Sequence, residues 1–115
     1  MSIASDLLRG NTDMIILAHL SGGDSYGYEI NKIIREVSGG LLDMKEATLY
    51  GAFRRLEESG LVTFYWGDEA TGARRRYYRI TYAGRNIFEQ RKQDWIQARD
   101  IIDKLIGGDT NEGTI

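Results

Sequence analysis

Four arginines fall within six residues: Arg74, Arg75, Arg76 and Arg79. Clustered guanidinium groups are phosphate-binding chemistry, because each stays charged and presents a planar fork of donors to phosphate oxygens. Widening the window to residues 71–92 adds Arg85, Arg91 and Lys92 against one acid, Glu89, a local charge of +6 in a chain whose net charge is −2. The rest of the chain is therefore −8. Salt confines each charge's reach to ~10 Å, so a basic stripe can hold a polyanion even on an acidic protein. A solvated basic loop is the plainer reading, and charge alone does not choose between the two.

A second constellation is aromatic. Trp95 has Lys92 and Arg99 about one helical turn to either side. A flat ring with a cationic border suits a neutral or anionic planar aromatic better than a cationic one. Ordinary packing at an interface is the alternative.

Little else in the sequence could carry chemistry. The 115 residues contain no cysteine and one histidine, His19. Disulfides, thiolate catalysis and thiolate metal sites are thereby excluded, and one imidazole cannot build a zinc site or a histidine pair. No carboxylate pair, Ser/His/Asp set or glycine-rich phosphate loop is present; Gly22-Gly23 and Gly39-Gly40 fall where helices break. Beside Leu17, Ala18 and Leu20, His19 reads as a packed or rim histidine. Neither enzymatic activity nor a cofactor is expected. With 42% apolar and 28% charged residues the chain is of ordinary globular composition and one domain in size. No apolar run approaches the ~20 residues of a membrane span. The opening MSIASDLLRG lacks the basic-then-apolar order of a secretory signal. A cytoplasmic location without a membrane partner is the expectation.

The elements that must position these residues follow from periodicity. Leu7, Leu8, Met14, Ile15, Leu17, Ala18 and Leu20 predict a helix over 5–20 whose apolar stripe covers more than one face. Ser21 to Ser25 break it and offer capping oxygens to a second helix carrying Tyr26, Ile30, Ile33, Ile34 and Val37, which stops at Ser38-Gly39-Gly40. Asp43 and Glu46 are spaced as a capping box for a third helix with Leu49, Phe53 and Leu56 inward and Gly60 as its stop. Leu61 to Trp66 and Arg74 to Thr81 read as two strands of a hairpin turning at Gly67 to Gly72. A helix from Tyr82 to Ile106 repeats Phe88, Trp95 and Ile102 seven apart, with Arg91, Ala98 and Leu105 offset by three. That is an a/d seam of about three heptads, and a lone helix cannot bury it.

Three helices leading into a basic hairpin is the order of a winged helix-turn-helix, in which the third helix enters the major groove and the wing lies along the DNA backbone. The fold expected is mostly α with a small β-hairpin. Its parts are a winged helix-turn-helix over 1–81, a C-terminal dimerisation helix over 82–106 and a flexible tail over 107–115. On the third helix Thr48, Tyr50, Arg54 and Arg55 are the outward polar candidates; Arg74, Arg75 and Arg76 are the wing's phosphate contacts. Winged helices also serve as protein-interaction modules, so the layout alone does not fix the partner.

Particular residues narrow this further. Tyr26-Gly27-Tyr28-Glu29-Ile30, Ala47-Thr48-Leu49-Tyr50, Arg55-Leu56-Glu57, Gly60-Leu61-Val62, Trp66, Gly72, Arg74 to Tyr78, Ile80-Thr81 and Gly84 occur in series. From about Leu7 to Trp95 the chain resembles the PadR family of bacterial transcriptional regulators. It is similar to the small subfamily with one short C-terminal helix that includes multidrug-responsive repressors. The resemblance implies a homodimer joined through its terminal helices that represses by occupying double-stranded promoter DNA. It implies DNA contacts at Tyr26, Lys45, Thr48, Tyr50, Arg54, Arg74, Arg75 and Arg76. It also implies a planar aromatic effector held at the dimer interface by Leu7, Asp13, Met14, Lys92, Trp95, Arg99 and Ile102. A constitutive DNA binder without an effector remains the alternative.

Overall fold

The computed structural model describes residues 8, 10–68 and 74–107. Helix α1 spans Thr12–Ser21 and buries Ile16, Leu17 and Leu20, with Ile15 packed at the edge of the core. The continuous helix expected from residue 5 is divided. Gly10 and Asn11 form a turn in which the Asn11 amide donates to the Leu8 carbonyl at 3.0 Å, and Asn11 leaves helical geometry at φ −113°, ψ 15°. Glycine beside asparagine favours such a turn over continued helix. His19 is half-buried on the rim of an apolar groove formed with Leu8, Ile15, Ile33, Val37 and Leu42.

A short strand, β1 (Ser25–Tyr26), precedes α2 (Gly27–Val37). Tyr26 thus belongs to a sheet and caps α2 in extended geometry, rather than opening the helix's apolar stripe. The expected side-chain cap is absent at this helix start; the Ser25 hydroxyl instead donates to the Glu29 carboxylate inside it. Ile30 and Ile34 enter the core while Val37 is exposed, and Gly39 and Gly40 end the segment with φ of 64° and 85°.

Helix α3 (Glu46–Glu58) places Leu49, Ala52, Phe53 and Leu56 inward and terminates at Gly60, φ 74°. Its start also departs from the capping-box reading. Lys45 is the cap residue, without a side-chain bond, and the preceding loop is fastened by Asn31, which accepts from the Met44 amide at 3.1 Å and donates to its carbonyl at 2.9 Å. Asp43 lies beside Asn31 and Arg35 instead.

Strands β2 (Val62–Asp68) and β3 (Arg74–Ile80) pair antiparallel, from Val62 opposite Ile80 to Asp68 opposite Arg74. β1 adds to the other edge of β3, giving the order β1-β3-β2, a three-stranded sheet where the sequence suggested a hairpin alone. The period of two is plain in β3: Tyr78 and Ile80 are buried, Arg79 exposed.

Helix α4 (Tyr82–Leu105) starts at Thr81, whose hydroxyl oxygen accepts from the Gly84 amide and donates to the Gly60 carbonyl. Ile87 and Phe88 pack against the core, so Phe88, read as part of the a/d seam, is partly covered within its own chain. Beyond it Trp95, Ile102 and Leu105 stay exposed, Leu105 at 79%. Among the described residues no helix is long and apolar enough to cross a membrane. The expected tail from residue 108 onward lies outside the described residues.

Candidate nucleic-acid interface

Because Leu49, Phe53 and Leu56 fix one face of α3 in the core, Thr48, Tyr50 and Arg54 fall on its exposed side, continuous with Lys45. Tyr50 is held more firmly than an ordinary surface side chain. Its ring tilts against Phe53 at 5.7 Å, and its hydroxyl lies over Gly27, where an added Cβ would come within 2.7 Å of it. Glycine at the start of α2 therefore gives Tyr50 its place. Arg55, the fourth outward candidate on α3, turns back to α1: its Nη2 lies 2.8 Å from Asp13 Oδ1 and its Nε 3.4 Å from Oδ2. The hydrogen bond to Asp13 raises the guanidinium's pKa above its ordinary value.

The wing arginines are ordered by aromatic faces. Arg74 lies 5.1 Å over Trp66 and Arg76 3.7 Å over Phe64; on the opposite face Arg75 is 4.5 Å over Tyr26 and Arg79 5.0 Å over Tyr65. Tyr77 joins the second group, stacked on Tyr65 and edge-on to Tyr26. Such stacking fixes a long side chain while leaving its donor edge open. Acids hold some of these arginines as well: Arg76 reaches Glu57 at 3.5 Å and Arg79 reaches Asp24 at 2.9 Å. Asp24 also accepts from the Tyr65 hydroxyl at 2.7 Å. The Arg79 hydrogen bond is the main force holding the Asp24 carboxyl below its usual range.

A cleft of about 440 Å³ lies where α2, α3 and the wing meet, lined by Tyr26, Gly27, Tyr28, Tyr50, Trp66, Arg74, Arg75 and Arg76. Five of the eight candidate DNA contacts meet there; Lys45, Thr48 and Arg54 lie exposed along α3. Tyr28 and Trp66 were not among the candidates. The signal for both was their place in the Tyr-Gly-Tyr motif and opposite Arg76 in the strand register.

A second cleft, about 570 Å³, opens between the start of α1, α3 and α4. It brings together three of the effector candidates, Asp13, Met14 and Trp95, and adds Thr48, Arg55, Arg91 and Asp94. Lys92, Arg99 and Ile102 do not line it. Lys92 lies 5.9 Å from the Phe88 ring, Arg99 covers Trp95 at 5.2 Å beside Asp100, and Ile102 is exposed two turns further along α4. Leu7 lies outside the described residues.

Residues 16–90 match the family model of the transcriptional regulator PadR-like family. An uncharacterized protein of Lysinibacillus sphaericus is 39% identical over 106 residues, 92% of this chain and 97% of its own. The solved structure of a transcriptional regulator from Clostridium thermocellum is similar at 47% identity and a TM-score of 0.81, over 90% of this chain and 97% of that one. The negative transcriptional regulator PadR of Bacillus subtilis is 27% identical over 70% of this chain and 42% of its own. Its structure in complex with operator DNA shares the fold at a TM-score of 0.61 and 23% identity, covering 90% of this chain and 52% of that one. The Clostridium thermocellum and Bacillus subtilis structures are of transcriptional regulators, and the described elements of this chain share their fold, a winged helix followed by a long C-terminal helix. The chain belongs to the transcriptional regulator PadR-like family, whose members are regulators and not enzymes.

Proposed function

We propose that this protein is a dimeric transcriptional repressor that binds promoter DNA through α3 and the wing. The observation that carries this reading is the shared cleft, in which Tyr50 of α3 stands beside Arg74 and Arg75 of the wing. A helix with exposed Thr48, Tyr50 and Arg54 suits the major groove, and stacked arginines suit the flanking phosphates. The Bacillus subtilis relative, described as a negative regulator and solved with operator DNA, supports repression. Dimerisation is supported by the apolar side chains that α4 leaves exposed from Trp95 to Ile106, because a run of exposed apolar residues along one helix is the mark of an interaction surface. Electrophoretic shift of the protein's own upstream DNA tests the reading. A shift competed by specific duplex supports it; no shift at low salt favours a protein-interaction module.

The same proposal includes a planar aromatic effector in the cleft beside Trp95. Arg55 of α3 and Asp13 of α1 both line that cleft, so a ligand there reaches the DNA-binding helix through one ion pair. Ligand and operator then oppose each other reciprocally, with a coupling of about 1–3 kcal/mol. Tryptophan-fluorescence titration with planar dyes, for wild type and Trp95→Ala with and without operator, tests this. Equal affinities for the two proteins would leave Trp95 as packing, and an affinity unchanged by operator would leave the regulator constitutive.

A further inference from the structure

Arg76 differs from its neighbours in the wing. Its guanidinium carbon lies 3.7 Å from the centre of the Phe64 ring, its Nη2 3.5 Å from Glu57 Oε1, and its Nε is buried without a hydrogen-bond partner. Arg74 and Arg75 are exposed, whereas Arg76 is half-buried. Glu57 follows Phe53 by one turn of α3, and Phe53 stacks face to face on Tyr78, two residues beyond Arg76 on β3. The helix and the wing are therefore joined at two points, one aromatic and one ionic. A single point of contact leaves a hinge, and a second one fixes the angle.

We infer that Arg76 is a positioning residue, which sets the angle between the wing and α3 by clamping Glu57 against Phe64, and is not a phosphate contact. This rests on the DNA-binding reading, because the angle matters when α3 and the wing must meet one duplex together. A loosened wing has to be ordered on binding, and that entropy weakens affinity for every sequence. The number of phosphates neutralised stays the same, so the salt dependence does not change. A lysine at position 76 keeps the charge but loses the planar surface that stacks on Phe64.

The test compares Arg76→Ala, Arg76→Lys, Glu57→Gln and the Lys/Gln double variant with wild type, in duplex binding at several salt concentrations and in amide hydrogen exchange of the free protein. The clamp predicts that each single variant loses about five- to tenfold in affinity with an unchanged salt slope. The double variant should be no weaker than either single. Amides of residues 64–66 and 75–77 should exchange faster while those of α2 and α4 stay protected, which a merely structural loss of stability would not produce. A salt slope reduced by about one unit in Arg76→Ala and restored in Arg76→Lys would make Arg76 a phosphate contact and overturn the inference. Unchanged wing exchange in all variants would overturn it as well, with or without DNA. Should wild type bind no duplex, the DNA-binding reading falls, and the exchange data alone decide the clamp.

Discussion

Phe53 of α3 and Tyr78 of β3 lie face to face, with ring centroids 3.8 Å apart and planes within 4°. Both side chains are almost wholly buried, and they join the helix that faces outward to the sheet that carries the wing. Burial pushes the Tyr78 hydroxyl up to about 12 from its ordinary 10.0. In the unfolded chain the phenol ionises first, so its contribution is complete below pH 10 and is lost as pH rises toward 12. Spectrophotometric titration should show the buried Tyr78 phenol ionising late, together with unfolding. Tyr78→Phe should remove that late step and flatten the alkaline fall in stability.

Asp24 gives the opposite dependence. Its folded pKa is below 3.8, chiefly through Arg79, so its contribution is present above 3.8 and disappears as pH falls through the folded value. The pair is largely exposed, and Asp24→Asn should cost no more than about 1 kcal/mol at neutral pH. Thermal unfolding of both proteins across acid pH should show that difference vanish. A difference persisting in strong acid would assign the stabilisation to something other than the ion pair.

Gly84 is where α4 crosses the base of the sheet. A Cβ there would stand 2.2 Å from the Leu61 carbonyl oxygen and 2.7 Å from Ile80 Cγ1. Backbone cannot swing aside as a side chain can, so Gly84→Ala should destabilise the fold by about 3 kcal/mol, at the upper end of overpacking costs. Denaturant unfolding measures this. At Gly27 the neighbour is instead the Tyr50 hydroxyl at the end of a side chain, so Gly27→Ala should change DNA preference more than stability.

The exposed end of α4 should be covered by a second copy. Ile102→Asp combined with Leu105→Asp should convert a dimer to monomers, or prevent folding, in sedimentation at micromolar concentration. A monomeric wild-type protein under those conditions would remove the dimer from the account.

Element types were legible wherever periodicity ran long enough: the inward faces of α2 and α3, the alternation in β3 and the length of α4 all appear in the residue order. Strand β1 was not, since two residues carry no period and their pairing with Tyr77 and Tyr78 is made across the fold. The start of α3 was misread because Asn31, twelve or more residues distant, anchors the loop in which Asp43 was expected to cap that helix. The candidate sites show the same division. Counting charge found the basic wing, but which acids tie particular arginines back was not visible, because those acids are remote in sequence. Asp13 stands 42 positions from Arg55, Glu57 19 from Arg76, and Asp24 55 from Arg79.

The most direct measurement of the central claim is the affinity of wild type, Arg74→Ala and Arg75→Ala for their upstream duplex as a function of salt. Wild type should bind with log K falling linearly in log salt, and each variant should weaken binding to all duplexes and lower that slope by about one unit. Slopes identical in all three proteins, or no binding by wild type at low salt, would contradict the assignment of the wing and α3 to DNA.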